Sequence, residues 1–398
     1  MVTSKLLNAP RSRAAAESLE PVPVATPPAQ RLLSLDVFRG ITIAGMLLVN
    51  NPGNWGHIYW PLEHAEWNGW TPRDLIFPFF LFIVGVAMTF SLGTLRERGA
   101  SRRQLIRKVS ARAAIIFTLG LVLNGFPSYN LTHLRVLGLL QRIALSYLLA
   151  AGVVLATGLR GQVAALLGLL LGYWALMTLV PVPGVGAGVL EPAKNLSNWI
   201  DLRIIGVDHV WRQTRTWDPE GILSTMGAIA TVLCGVLAGH WVRSRRTALE
   251  KTVGLFLAGN LGLVLGVIWN SVLPINKSIW TSAYVIFTAG MACHGLAMTY
   301  WTVDVKGYRR WATPFLVFGT NSIAAYCLSS LVAIALTRIW VPGPAAGESW
   351  TLKTSLARAL YESRLSPINA SLAYGVTYVC VWLALMSVLY RKRILIKV

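Results

Sequence analysis

Apolar runs long enough to cross a lipid bilayer recur along almost the whole chain, and no other feature limits its fold as strongly. They fall at 32–49, 74–95, 109–125, 136–157, 163–180, 221–242, 253–272, 279–301, 315–340 and 368–390. A hydrocarbon core about 30 Å thick needs a helix of about 20 residues. The runs therefore predict an all-α, polytopic integral membrane bundle of about ten transmembrane helices. Several carry Gly and other small residues, which lets helices approach closely in lipid. The 398 residues are 55% hydrophobic and only 13% charged, against about a quarter charged in soluble domains.

Lys and Arg number 36 against 16 Asp and Glu, a net charge of +20. In a soluble protein that excess would suggest nucleic acid. Here the cations collect between the apolar runs, and no soluble domain is left to bind nucleic acid, so none is expected. Arg96, Arg98, Arg102, Arg103, Arg107, Lys108 and Arg112 join the second and third runs. Arg243, Arg245, Arg246 and Lys251 join the sixth and seventh; Lys306, Arg309 and Arg310 the eighth and ninth; Arg391, Lys392, Arg393 and Lys397 close the chain. These connections alternate with poorer ones, so the positive-inside rule puts both termini in the cytoplasm.

Residues 1–30 are rich in Ala, Pro and Ser, with no apolar core. They read as a disordered cytoplasmic tail and not a secretory signal, ahead of a transmembrane domain over 31–398. The longest connection, 181–219, would face outward, and its aromatic and turn residues predict an ordered loop. Cys234, Cys293, Cys327 and Cys380 each sit inside an apolar run, so neither a disulfide nor a metal centre is expected.

The stretch 61–85, PLEHAEWNGWTPRDLIFPFFLFIVG, stands out chemically. It places His64 in a polar loop with Glu63, Glu66, Trp67 and Asn68, just before an apolar run. A neutral imidazole can take a proton from an amine or hydroxyl near physiological pH; an interfacial loop histidine without a role is the plainer alternative. Thr71, Pro72 and Asp74 read as N-cap, N1 and N3 of a helix start. Asp74 could cap that helix and still orient His64. Asn50 and Asn51 end the first run before Pro52 and Gly53. They read either as a helix C-cap or as an amide that donates to a developing oxyanion.

Other polar groups mark the runs' ends. Asp36 and Arg39 can pair at i and i+3. Gln141 and Arg142 open the fourth run, Asp218 and Glu220 precede the sixth, Asn276 and Lys277 precede the eighth, and Asn321 lies inside the ninth. Ionisable groups at membrane depth are binding-site candidates, although Lys277 could simply snorkel. The cytoplasmic arginines could dock a phosphorylated cofactor, but topology alone explains them. No phosphate-loop, nucleophile-elbow or zinc-helix motif is present.

Several stretches together resemble one family. SLDVFRGITIAGMLLVNN, LEHAEWNGWTPRDLIFPFFLFIVG, RVLGLLQRIALSY, LVPVPGVG, WDPEGILST, LPINKSIWTSAY, VDVKGY, FGTNSI and LYRKRILIKV occur in order from Arg31 to Val398. They are similar to the heparan-alpha-glucosaminide N-acetyltransferase family, which includes bacterial NagX-like relatives. The resemblance implies a multi-pass enzyme, in a bacterial cytoplasmic membrane. It would move acetyl from cytoplasmic acetyl-CoA to the amino group of a glucosamine-type sugar on the far side. It also implies His64 as the active histidine, Asn50 as its partner and Asp74 as the supporting acid. Asp36, Arg39, Trp67, Asn68, Gln141, Arg142, Asp218, Glu220, Asn276, Lys277 and Asn321 are the candidate substrate- and cofactor-binding residues. Partners would be the glycan acceptor, coenzyme A, the bilayer and a second copy of the chain, with no metal.

Beside the lysosomal members, no large lumenal domain is expected ahead of the first helix, and the loop between the fourth and fifth runs is shorter. The SLDVFRG start also resembles the LDGLRG motif of wider membrane acyltransferases, where a histidine ends the first helix at the place of Asn50. Two other function classes fit the residues. One is an amino-sugar transporter, which would show repeats and broken helices. The other is an O-acyltransferase acting on envelope glycans.

Overall fold

The computed structural model describes residues 32–343 and 348–396, so the expected N-terminal tail lies outside the described residues. Among the described residues thirteen α-helices run in chain order: α1 Leu33–Asn50, α2 Ile76–Glu97, α3 Arg102–Gly125, α4 Leu139–Ala156, α5 Leu159–Leu179, α6 Leu196–Ile204, α7 Thr225–Arg243, α8 Ala248–Asn270, α9 Ser282–Thr299, α10 Thr313–Thr320, α11 Ser322–Arg338, α12 Leu352–Ala357 and α13 Pro367–Arg391. One short antiparallel hairpin pairs β1 Trp340–Pro342 with β2 Ser349–Thr351. The fold is otherwise helical, and its apolar helices mark an integral membrane protein.

All ten apolar runs form helices, with the ninth broken into α10 and α11. Fewer of them pass as spans on length and composition alone. Among the described residues, seven helices are long and apolar enough to cross a membrane, or eight if the pair bent by 73° at Asn321 is one span. α3 begins on Arg102, Arg103, Arg107 and Lys108, which dilute its apolar character. α9 is an inner helix, and it buries Ser282, Thr288 and Thr299 among protein. An inner helix can carry hydroxyls that lipid would reject.

Helix association in lipid depends on close packing, because lipid tails are as apolar as side chains. α2 and α7 show how the sequence meets that need. A Cβ on Gly85 would lie 2.0 Å from the Val232 carbonyl oxygen, and one on Gly235 would lie 2.0 Å from that of Phe82. Any larger residue at either position would drive the two backbones apart. Around this contact Leu81, Met88, Val232, Val236 and Val285 form a buried core. α8 turns Leu257, Leu261, Val264 and Ile268 outward, as a lipid-facing helix should.

The two ends of the bundle differ in chemistry. At one end Arg243 donates to Thr89 O and reaches Glu97 at 2.7 Å, while Arg96 donates to Val154 O. At the same end Asp304 accepts the N–H groups of Leu33 and Ser34 at 3.3 and 3.0 Å. A carboxylate there complements the positive end of the α1 dipole. Asp36 and Arg39 pair at 2.8 Å in that first turn of α1. The opposite end carries the loops around His64.

Candidate active site

The site begins with a single tight turn, Pro72–Leu75, which leads into α2. Pro72 presets the first helical φ. The Asp74 Oδ2 atom accepts the N–H groups of Thr71 and Ala65, each at 3.1 Å. One oxygen of Asp74 thus closes the helix start, as the sequence pattern predicts. The main-chain oxygen of Asp74 accepts the Tyr284 hydroxyl at 2.5 Å, which ties the turn to α9. Arg73 donates to Leu62 O at 3.1 Å and pins the preceding loop.

The other oxygen, Asp74 Oδ1, lies 2.6 Å from His64 Nδ1. A carboxylate there assigns the hydrogen to Nδ1 and leaves the lone pair on Nε2. The Asp74 side chain is 1% exposed and that of His64 45% exposed, so the carboxylate is buried while the imidazole faces an opening. Lys277 completes the cluster. Its Nζ lies 3.0 Å from His64 Nδ1, 3.2 Å from Nε2 and 3.5 Å from Asp74 Oδ1. Because Nδ1 gives its hydrogen to Asp74, Nε2 is the nitrogen able to accept from the lysine.

Burial lowers the His64 pKa to about 4, with the Lys277 and Arg73 cations adding to it and Asp74 opposing it. The imidazole is therefore neutral at pH 7. Burial also lowers the Lys277 pKa; Asp74 opposes that shift and Arg73 adds to it. A neutral imidazole on a fixed carboxylate can accept a proton at Nε2.

Two loops hold this arrangement. Gly69 N donates to Ile275 O at 2.7 Å, and Asn276 Nδ2 donates to Asn68 Oδ1 at 3.1 Å. Trp67 donates from its indole nitrogen to Leu190 O at 2.9 Å and meets Trp217 edge-on at 5.3 Å. Of the sequence candidates, His64, Trp67, Asn68, Asp74, Asn276 and Lys277 thus come together.

Asp218 and Glu220 form a second cluster with Arg135. The guanidinium reaches Asp218 at 2.9 and 2.6 Å and Glu220 at 2.5 Å. Arg142 is buried nearby; it donates to Gly221 O at 3.2 Å and to Ser224 Oγ, and lies 5.0 Å over the Trp280 ring. Asp201 of α6 is fully buried and accepts Ile222 N at 2.7 Å. Burial pushes its pKa up to about 7. Sequence reading passed over Arg135, Asp201 and Tyr284. Arg135 opens the RVLGLLQR stretch and Tyr284 ends LPINKSIWTSAY, so position in a motif was an available signal for both. Asp201 offered only an acid set among apolar residues.

Asn50, Asp36, Arg39 and Asn321 lie apart from His64. Asn50 is exposed at the end of α1, and no hydrogen bond joins it to His64. It lines a cavity of about 260 Å³ with Asn51, Asn124, Gln141, Tyr326 and Ser330. Asn51 is the residue that closes the helix, donating to Leu47 O at 2.8 Å. The Asp36–Arg39 pair sits at the opposite end. Asn321 holds the C-terminal stretch, giving to Ile394 O at 3.0 Å and accepting Ile396 N at 2.9 Å. Among the described residues no group of three or more His, Cys, Asp or Glu side chains could hold a metal ion.

Residues 31–207 match a family model described as heparan-alpha-glucosaminide N-acetyltransferase, catalytic. The heparan-alpha-glucosaminide N-acetyltransferase of Homo sapiens is 29% identical over an alignment of 429 residues, covering 94% of this chain and 60% of that protein. Its Mus musculus counterpart is 29% identical over 353 residues, covering 75% of this chain and 53% of that protein. The chain spans less than two thirds of the length of these curated relatives. Both comparisons bear out the resemblance read from the motifs.

Proposed function

On the premise that residues 31–207 match the catalytic region of the heparan-alpha-glucosaminide N-acetyltransferase family, we propose that this chain is a transmembrane N-acetyltransferase. It moves an acetyl group from cytoplasmic acetyl-CoA to the amino group of a glucosamine-type sugar across a bacterial cytoplasmic membrane. His64 acts as general base through Nε2 and takes the proton that the amine loses on attack. Asp74 holds the imidazole in its Nδ1–H tautomer and offsets the charge that forms. Asn50 lies apart from His64, on the rim of the amide-lined cavity, and would receive the thioester's carbonyl oxygen as it becomes an oxyanion only where bound substrates bring the two together. Trp67, Trp217 and Asn68 border the opening and form the acceptor's approach.

The observation that carries this reading is the 2.6 Å contact between His64 and Asp74, with the imidazole neutral and the lone pair of Nε2 directed away from the carboxylate. The test is direct. Purified protein in lipid nanodiscs receives labelled acetyl-CoA with glucosamine, or with a sugar that offers only hydroxyls. N-acetylated product from the amine alone is expected. Product from the hydroxyl acceptor alone would make it an O-acyltransferase.

One observation favours the transporter reading: the 73° break between α10 and α11, since carriers bind substrate at broken helices. At this break, however, the Asn321 amide is taken at both ends by backbone groups of the C-terminal stretch. The break serves packing. Sugar uptake into proteoliposomes without any acetylated product would overturn the enzyme reading.

A further inference from the structure

We propose that Lys277 is itself an acetyl acceptor, modified when acetyl-CoA meets the site without a sugar. The inference rests on the acetyltransferase reading and names a modification site within it.

The reaction needs three groups in order: an amine, a base and a carboxylate that steadies the base. The structure already contains that series within one chain. Lys277 Nζ is the amine, 3.2 Å from His64 Nε2, and His64 Nδ1 in turn lies 2.6 Å from Asp74 Oδ1. The lysine thus stands where the amine of an incoming sugar must stand for His64 to deprotonate it. Its side chain is 22% exposed, so the position is open enough to be reached and closed enough to exclude most water. The charged groups facing it are Asp74, Arg73 and Glu220. Two of these are acids and one a cation, and burial lowers the lysine's pKa.

The step balances simply. The lysine ammonium gives one proton to solvent through His64. Nζ attacks the thioester carbonyl carbon and a C–N bond forms. The C–S bond breaks, and the thiolate of coenzyme A leaves with the second proton as a free thiol. The product is a stable amide on Lys277. It removes a positive charge from beside Asp74 and fills the acceptor's place, so modification shuts the site. A sugar amine in that place protects the lysine.

Lys353 is the internal control. Burial lowers its pKa to about 8, and its Nζ lies 5.5 Å from the centre of the Trp55 ring and 6.0 Å from that of Tyr374. No hydrogen bond joins it to a histidine among the described residues. If enclosure alone made a lysine reactive, Lys353 would be modified too.

The experiment incubates nanodisc-embedded protein with acetyl-CoA, with and without glucosamine, and maps acetylated lysines by peptide mass spectrometry. Acetylation of Lys277 is expected in the absence of sugar, with suppression by glucosamine and little label on Lys353. In His64→Ala the labelling should slow on the order of a hundredfold, the size of a general-base contribution. A preparation that acetylates glucosamine but leaves Lys277 bare overturns this inference and leaves the enzyme reading standing. A preparation inactive on glucosamine counts against the enzyme reading, and acetylimidazole then decides the lysine. Preferential labelling of Lys277 over Lys353, lost in His64→Ala, supports the inference; equal labelling of the two overturns it.

Discussion

His64 Nδ1 and Asp74 Oδ1 meet at 2.6 Å, while the second oxygen of the same carboxylate closes the turn that starts α2. One side chain therefore orients the base and terminates the loop that carries it. The base inherits the rigidity of a helix start, although it sits in a loop and is itself half exposed.

His64→Gln keeps a hydrogen-bonding side chain and removes the base. Its turnover with acetyl-CoA and glucosamine should fall by about 10²–10⁴, with an unchanged melting temperature. Turnover within a few-fold of the parent would mean that another group takes the proton.

Asp74→Asn separates the two duties of that carboxylate. An amide oxygen can still accept from Thr71 N, so the helix start survives. The charge that fixes the His64 tautomer does not. The expected result is a loss of about 10⁴ in kcat at little cost in KM, by analogy with the aspartate of serine-protease triads. A large KM change with kcat intact would place Asp74 in acceptor binding instead.

The acid limb of kcat/KM against pH should report His64. Its folded pKa, about 4, lies below the usual 6.5, so the imidazole stays neutral and competent until pH falls toward 4. Lys277→Met removes one of the cations that depress it, and the limb should move to higher pH. Lys277→Arg keeps the cation and should leave the limb in place. A parent limb at 6.5 or above would contradict the neutral-base assignment.

Arg135→Met strands two acids, the buried Asp218 and the half-buried Glu220, which now share one guanidinium. Removing one partner of a buried ion pair costs about 3–5 kcal/mol. The variant should melt well below the parent in the same detergent, and Asp218→Asn in the same chain should restore part of the loss.

Asp201 gives a pH signature of the opposite sign. Its folded pKa is raised from 3.8 to about 7, so the folded state holds this proton more tightly than the unfolded chain. The favourable contribution is complete below about pH 4 and is lost as pH rises through 7. Asp201→Asn should therefore flatten the fall in thermal stability between pH 5 and 8. An unchanged slope would show that Asp201 does not titrate there.

Much of the helix pattern was legible because apolar run length reports directly on bilayer thickness. The His64 loop and the Asp74 turn were legible too, since a capping pattern is local and needs only four neighbouring residues. What was not legible is tertiary. Lys277 could be read as a snorkelling side chain until α9 brings its loop against His64. Asn50 follows a good oxyanion pattern, yet the end of α1 turns it toward Gln141 and Asn124. Asp201 and Arg135 are separated by α4 and α5, and no periodicity encodes their shared neighbourhood. The break at Asn321 carries no Pro to announce it, and only the C-terminal backbone that occupies its amide explains it. α3 and α9 fall short of a span by composition, through the charged residues of one and the polar residues of the other, which run length alone does not weigh.

The bonds that join the two site loops also bear on how the protein is made. His64 and Lys277 are 213 residues apart in sequence, and Gly69 cannot meet Ile275 until α8 has been synthesised. A nascent chain therefore carries a histidine and a carboxylate through most of its membrane insertion with no amine beside them. The centre is completed late, when the loop ahead of α9 arrives. Two fragments divided at the exposed turn between α7 and α8 should each be inert, and should regain activity only when produced together.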